Sequence, residues 1–298
     1  MMLAQAYNKQ MHNHAINQPK YWQHLLPKLG PSSHKYNRGY AFIYGGYPIT
    51  GAARLAALAA ARVGAGITAI AVPEIAFHVY ASQLLSIMVK PYGDDTGIDQ
   101  LIADPRINAY LIGPGAGLNQ QTQTNTLRML QTGKPVVIDA DALTIFAGEA
   151  ESLSRAITST CVLTPHAGEF ARLTGTEVAS PLSLRISQAQ QAAQTFNATL
   201  LLKGAISIIA APDGRVLLND NAPPTLATAG AGDVLAGLIT GLLAQGLPAF
   251  EATAAASWMH GRAAATFGPG LIADDLPAMI PAILQALESP APGLRLNQ

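Results

Sequence analysis

One cysteine, few charges, few aromatic rings and no long apolar stretch are what this 298-residue sequence lacks. The lone Cys161 can form no intrachain disulfide and has no Cys or His neighbour at zinc spacing, which excludes a disulfide scaffold and a structural zinc site. Charged residues are 12% of the chain, about half the roughly 25% of an ordinary soluble domain. Acids and bases cancel to a formal net charge of zero. A chain with no excess of either sign has no electrostatic footprint for nucleic acid or an acidic membrane surface, so neither is expected as a partner. The longest charge-free apolar run, 234–250, is interrupted by Gln245, Gly246 and Pro248, and it falls short of the roughly 20 residues that span a membrane. Residues 1–37 carry Asn, Gln, His and Lys throughout, with no apolar segment of the kind a secretory signal needs. A soluble, cytoplasmic protein is the expectation.

What is present is aliphatic: 49% of residues are hydrophobic and only 6% aromatic. From Tyr40 onward, short apolar runs at 41–45, 67–72, 109–113, 135–139 and 161–165 read as strands without polar alternation. Such strands are covered on both faces, the mark of a parallel sheet between helical layers. Helical patterns fill the intervals at 50–66, 73–85, 120–131, 141–147, 168–174 and 182–195. Three strands at 199–204, 206–212 and 214–219 are joined too tightly for crossovers, which forces antiparallel pairing at one edge. Helices at 232–245, 250–266 and 276–287 follow. The length allows about two domains, but no repeat or linker divides the chain. The expected fold class is a doubly wound three-layer α/β/α structure, with a mostly parallel central sheet and an antiparallel edge. It forms one domain over 1–298, with 1–37 as an N-terminal extension and 289–298 as a flexible tail.

Several nucleotide and nucleophile signatures fail on inspection. Gly113-Pro114-Gly115-Ala116-Gly117 has Leu118 where a dinucleotide fingerprint needs its third glycine. No Gly-Lys pair precedes Ser or Thr, and there is no G-x-S-x-G elbow. His12-Asn13-His14 lies in a polar segment and reads as solvated surface before it reads as a metal site. A different device stands at Thr228-Ala229-Gly230-Ala231-Gly232-Asp233, where two glycines lead into an apolar helix. Backbone N–H groups there converge on the helix N-terminus and make an anion site. Asp233 is open to two readings, an N-capping carboxylate or a base beside the anion hole. His166 and Glu169, three apart after a strand and a proline, are expected to share a helix face that points into the crevice at the strand ends. Asp139 and Asp141 follow another strand, and Gly113 to Gly117 a third. Polar or glycine-rich ends on four elements of one sheet favour a functional crevice over turn chemistry.

Taken together, GPGAG, VIDADAL, LTPHAGE, LLKGAISII, LATAGAGDVLAGLI and the closing AQG resemble the ribokinase-like superfamily. Within it they are similar to the NAD(P)H-hydrate dehydratases, related to the C-terminal half of bifunctional Nnr proteins. The resemblance covers roughly residues 35–288. It implies a repair lyase that returns the 6-hydroxy hydrates NADHX and NADPHX to NADH and NADPH, driven by ADP or ATP with Mg2+. The nucleotide phosphorylates the hydroxyl and phosphate then leaves. By the same resemblance Asp233 is the base at that hydroxyl and touches the substrate, and Gly230, Ala231 and Gly232 form the anion hole. Lys203, Gly204, Ala205, Ile206 and Ser207 hold the AMP portion of the nucleotide. Ala52, Gly115, Gly117 and His166 line the hydrate pocket, and Glu169 holds magnesium through water. A homotetramer, and an NAD(P)HX epimerase on another chain, are implied as well.

Three stretches depart from the family pattern. Asn221-Ala222-Pro223-Pro224 replaces a Thr-Gly-Asn stretch beside the nucleotide, AGAGD replaces GGSGD in the anion hole, and Gly46-Tyr47 replaces Gly-Ser after the first strand. The first bears on adenine recognition or donor choice, and the second replaces a hydroxyl and adds a methyl group. Taken singly, Lys203 also reads as a solvated lysine, Ala52 as helix packing, Ser207 as a plain strand position and His166 as a helix cap. Two other functions stay open: a superfamily kinase of the hydroxymethylpyrimidine or hydroxyethylthiazole type, and a nucleotide-binding protein without turnover.

Overall fold

The unalternated apolar runs form the centre of one sheet. The structure is a computed structural model that describes residues 14–288. Its strands are β1 (Ala15–Ile16), β2 (Tyr40–Tyr44), β3 (Ile67–Pro73), β4 (Met88–Tyr92), β5 (Ala109–Ile112), β6 (Val136–Ile138), β7 (Cys161–Leu163), β8 (Thr199–Leu202), β9 (Ser207–Ala210) and β10 (Val216–Asn219). They lie in the order β1-β10-β9-β8-β7-β6-β5-β2-β3-β4. β2 to β8 are mutually parallel, β9 runs antiparallel to β8 and β10, and β1 is parallel to β10.

The helices are α1 (Gly51–Arg62), α2 (Phe77–Ala81), α3 (Asp95–Ile102), α4 (Gln120–Gln131), α5 (Asp141–Thr144), α6 (Ala150–Ala156), α7 (Ala167–Thr174), α8 (Leu182–Phe196), α9 (Ala231–Ala244), α10 (Ala249–Phe267) and α11 (Leu276–Glu288). Side chains alternate across each strand and so feed two separate cores. Ala41, Ile43, Leu111, Val137 and Leu201 pack under α1, α9, α10 and α11. Phe42, Tyr110, Ile112, Ile138 and Leu202 pack under α3 to α8. This is the three-layer arrangement, with one apolar layer on each face. α1 is rich in alanine because α9 comes very close: a Cβ at Gly237 would strike the Ala56 carbonyl, and one at Gly241 would meet the Ala60 backbone.

Some expectations need correction. The helix expected over 73–85 is a 3-10 turn, Glu74–Ala76, followed by the short α2, because the chain turns early to form β4. β1, β4, α3 and α6 were not foreseen. The expected antiparallel edge is present at β9 and β10, and β1 adds one further short strand beside β10. The N-terminal segment is built in from residue 14, and Trp22 is fully buried. His12, Asn13 and the expected tail at 289–298 lie outside the described residues.

Candidate active site

The parallel strands all deliver their carboxyl ends to one rim, where ligands gather in open α/β sheets. At the end of β6 the backbone takes a forced step: Ala140 has φ 48, ψ −118, which costs an L-residue on the order of 1 kcal/mol. The step sends its two acidic neighbours to different partners. Asp139 is 1% exposed and accepts hydrogen bonds from Thr164 Oγ1 at 2.7 Å and Lys203 Nζ at 2.8 Å. Asp141 Oδ2 accepts from the Gly117 N–H at 2.8 Å. Gly113 permits this turn, because a Cβ there would collide with the Asp139 carbonyl.

β7 ends at Leu163, Thr164 follows it, and His166 stands one residue before α7 rather than on its face. Its Nδ1 accepts the N–H groups of Gly168 (3.0 Å) and Glu169 (3.3 Å), while Glu169 Oε2 accepts the His166 N–H at 2.8 Å. This is a reciprocal capping box. The expected shared helix face is therefore corrected, because the two residues meet through the cap. The exposed side of the imidazole places Nε2 3.3 Å from Glu169 Oε1.

Lys203 follows β8, next to His166 in the sheet. Its Nζ lies 2.8 Å from Asp139 and 3.7 Å from Glu169, and 3.5 Å from where a Cβ on Gly232 would stand. Burial alone would lower the pKa of this ammonium, but the carboxylates of Asp139, Glu169 and Asp233 outweigh it and hold the pKa up. Lys203 is thus a paired cation, not a solvated surface lysine.

α9 is capped by Gly230 in the left-handed region, φ 88. Ala231, Gly232 and Asp233 form its first turn, whose N–H groups have no helical carbonyl to meet. The cap is a glycine with no side-chain bond, so Asp233 is not the N-cap. Its carboxyl is pushed up to about 7, first by burial and then by the charge of Asp139, with Lys203 opposing and Asp141 and Glu169 adding.

Gly115 (φ 64) lies against the start of α1: a Cβ there would come within 3.5 Å of Ala52 Cβ. Ala52 and Gly115 therefore meet, with Gly117 tied in by Asp141. A cavity of about 290 Å³ opens beside them, lined in part by Tyr44, Gly46, Tyr47 and Asn119. A second cavity, of about 430 Å³, is lined by Lys203, Gly204, Ala205, Ser207, Ala231 and Gly232, by residues 222–224, and by His260. Ile206 instead turns its side chain into the core, and Gly230 is not part of this lining.

Asp139 and Thr164 received no role from the sequence, although the acidic strand end was visible. His260 was missed entirely. Burial pushes its imidazole down to about 4, so it is neutral at pH 7, and no short-range pattern marks it within the helix. Among the described residues no three His, Cys, Asp or Glu side chains are grouped to hold a metal, and Glu169 already uses both oxygens on His166 and Lys203.

Comparison with known proteins gives the family and the fold. The family described as NAD(P)H-hydrate dehydratase matches residues 41–283. The bifunctional NAD(P)H-hydrate repair enzyme Nnr of Salinibacter ruber is 42% identical over 273 residues, which are 86% of this chain and 50% of that protein. The chain thus spans about half the length of that relative. The ADP-dependent (S)-NAD(P)H-hydrate dehydratase of Neisseria meningitidis is 38% identical over 267 residues, covering 85% of this chain and 87% of that one. The ADP/ATP-dependent NAD(P)H-hydrate dehydratase of Bacillus subtilis, crystallised with ATP and Mg2+, superposes with a TM-score of 0.81 at 28% identity, over 92% of this chain and 99% of that one. A hydroxyethylthiazole kinase of Pyrococcus horikoshii is more distant, with a TM-score of 0.59 and 18% identity over 83% of this chain and 89% of that one, and shares the fold alone.

Proposed function

The chain belongs to the NAD(P)H-hydrate dehydratase family, and on that premise we propose that it is a repair lyase. It would convert NADHX and NADPHX back to NADH and NADPH at the expense of ADP or ATP. The observation that carries this reading is the meeting of Asp233, the Gly230–Gly232 turn and Lys203 at the start of α9. A base, converging N–H donors and a cation in one crevice are what phosphoryl transfer to a hydroxyl requires. In the proposed mechanism the hydrate's 6-hydroxyl loses its proton to Asp233 as its oxygen bonds to the terminal phosphorus. The bond to the leaving phosphate breaks and, with ADP as donor, AMP is released. The new phosphate ester then eliminates inorganic phosphate and a ring proton, restoring the dihydronicotinamide double bond.

The Gly230, Ala231 and Gly232 backbone would face the transferring phosphoryl group, and the segment Lys203, Gly204, Ala205, Ile206 and Ser207 the AMP portion. Ala52, Gly115, Gly117 and His166 would line the hydrate side. Magnesium, when bound, neutralises phosphate charge. The residues present fit it as an ion carried in by the nucleotide, since Mg2+ commonly keeps its waters and takes one or two carboxylates plus phosphates. Glu169 is proposed to reach it through water.

The same proposal includes a homotetramer, for which exposed Ile75, Val79 and Leu85 supply apolar surface, and pairing with an NAD(P)HX epimerase, the other half of the repair cycle suggested by the bifunctional relatives. No helix among the described residues is long and apolar enough to cross a membrane, and the proposed cytoplasmic location follows the nicotinamide chemistry. The test incubates the protein with NADHX or NADPHX, Mg2+ and either ADP or ATP. Return of the reduced-nicotinamide absorbance is expected; no return with either donor, on folded protein, refutes the function.

A further inference from the structure

A buried chain of amides links the N-terminal segment to the wall of the cavity assigned to the nucleotide. Trp22 Nε1 donates to Asn17 Oδ1 at 3.0 Å. Asn17 Nδ2 donates to Asn219 Oδ1 at 2.8 Å and to the Ala254 carbonyl at 2.7 Å. Asn219 Nδ2 donates to Asn221 Oδ1, and Asn221 Nδ2 to the Trp258 carbonyl, both at 2.9 Å. Asn17 and Asn219 are each 3% exposed.

The polarity of this chain is fixed from both ends. An indole N–H can only donate, so it sets the orientation of Asn17, and a backbone carbonyl can only accept, so it sets that of Asn221. Asn219 lies between them and has one arrangement that satisfies both neighbours. Reversing any one amide would leave buried groups facing like groups, at a cost beyond one lost hydrogen bond.

The chain ends at the residue that matters for the site. Asn221 is followed by Ala222, Pro223 and Pro224, which line the cavity with Lys203, Gly232 and His260. The two prolines supply no N–H and fix their own φ, so this wall depends on its anchors for position. Beyond it, the turn Pro224–Leu226 holds the far side; before it stands Asn221. Asn221 also packs tightly on α10, where a Cβ at Gly261 would strike its Oδ1. The segment that starts the relay, β1 and Trp22, lies before the stretch matched by the family, which begins at residue 41.

We propose that Asn17, acting through Asn219 and Asn221, is a positioning residue for the nucleotide, so that the N-terminal segment belongs to the nucleotide-binding apparatus. The inference rests on the nucleotide assignment of that cavity. ADP binding with Mg2+ would be measured by titration calorimetry on the full chain, which needs no turnover of hydrate. Wild type would be compared with Asn221→Ala, Asn17→Asp and a remote core variant, Ile98→Val, each with its unfolding midpoint. Asn17→Asp keeps the acceptor for Trp22 but turns an oxygen toward Asn219 Oδ1 and the Ala254 carbonyl. Asn221→Ala removes the loop anchor at a half-buried position, and so keeps the test alive if Asn17→Asp fails to fold.

Loss of one or two restraining hydrogen bonds is expected to weaken ADP binding about five- to tenfold in the relay variants. The KM for ADP should rise in step while the KM for the hydrate stays put, and Ile98→Val should lower the midpoint without moving ADP affinity. Relay variants that bind ADP as wild type does would overturn the positioning role and leave the nucleotide reading standing. A parallel rise in the hydrate KM would overturn it as well, by pointing to general loosening. Failure of the wild type itself to bind ADP would overturn both.

Discussion

Replacing the carboxylate of Asp233 by an amide should abolish turnover and yet stabilise the protein, by an amount that depends on pH. In the fold this carboxyl titrates near 7, against 3.8 for an unperturbed aspartate. The gap is about three units, which at about 1.4 kcal/mol per unit corresponds to about 4 kcal/mol. Asp233 keeps part of its surface in contact with solvent, and screening reduces the expected effect to about 2 kcal/mol. Below about pH 4 the folded and unfolded chains both hold the proton and the penalty is absent. Between about pH 4 and 7 the unfolded chain releases it while the fold retains it, so wild-type stability falls as pH rises. Above about pH 7 both states are ionised and the penalty is constant. The Asp233→Asn variant carries none of this, and the other titrations largely cancel in the comparison. Scanning calorimetry of both proteins should show nearly equal midpoints at pH 4.5, and an excess for Asp233→Asn of a few degrees at pH 8, at about 2 °C per kcal/mol for a chain of this size. A difference that does not vary with pH, or a variant less stable than wild type at pH 8, would refute the burial and charge argument for Asp233. Residual turnover near the wild-type rate would refute its role as base.

The wild-type kcat/KM should rise with pH through about 7 as Asp233 loses its proton, and fall about tenfold per unit well below that; a rate profile flat from pH 5 to 8 would contradict the assignment. Lys203→Met leaves Asp139 and Glu169 buried without their cation, a loss of about 3–5 kcal/mol. Calorimetry should show it, and the acid limb of the rate profile should move to higher pH because Lys203 holds the Asp233 pKa down. Gly237→Ala drives a methyl group into the Ala56 carbonyl and should cost about 1–3 kcal/mol by forcing α1 and α9 apart; an unchanged midpoint would mean that the helices separate without strain.

What the sequence made legible follows from how local each signal is. β2, β5, β6 and β7 are apolar at every position, and such runs identify a doubly covered parallel strand without knowledge of its neighbours. β4 reads Met-Val-Lys-Pro-Tyr and is an edge strand. There lysine and proline are tolerated, so the pattern that marks a central strand is missing. β1 is two residues long and exists only because β10 is there to pair with it. In the candidate site, the glycine-rich turn before α9 was visible because it is written in consecutive residues. The Lys203–Asp139 pair spans 64 positions, and no local pattern could announce it. The capping role of His166, by contrast, was one of the readings the sequence offered, because a cap and the first turn it serves are neighbours in the chain.

These long-range pairings change how a chain of zero net charge can handle phosphate. Lys203 Nζ stands 3.5 Å from where a Cβ on Gly232 would sit in the proposed anion hole, yet it is already committed to Asp139 and Glu169. Counting Asp233 as a third carboxyl, the cluster has no positive surplus to offer a polyphosphate. What it does have is a lysine held protonated and an aspartate held at the edge of ionisation. Those two effects arise from one arrangement: the carboxylates that keep the ammonium charged are those that raise the Asp233 pKa. Attraction for the nucleotide must then come chiefly from the N–H groups of the α9 turn and from a cation carried with the phosphates. In the proposed mechanism the buried carboxylates would serve the proton rather than the phosphate. On this argument Glu169→Gln, which keeps an oxygen for the His166 cap but removes a charge, should lower the Asp233 pKa and shift the acid limb of the rate profile toward lower pH. A limb that stays in place, with the protein folded, would mean that the Glu169 charge does not help set the base.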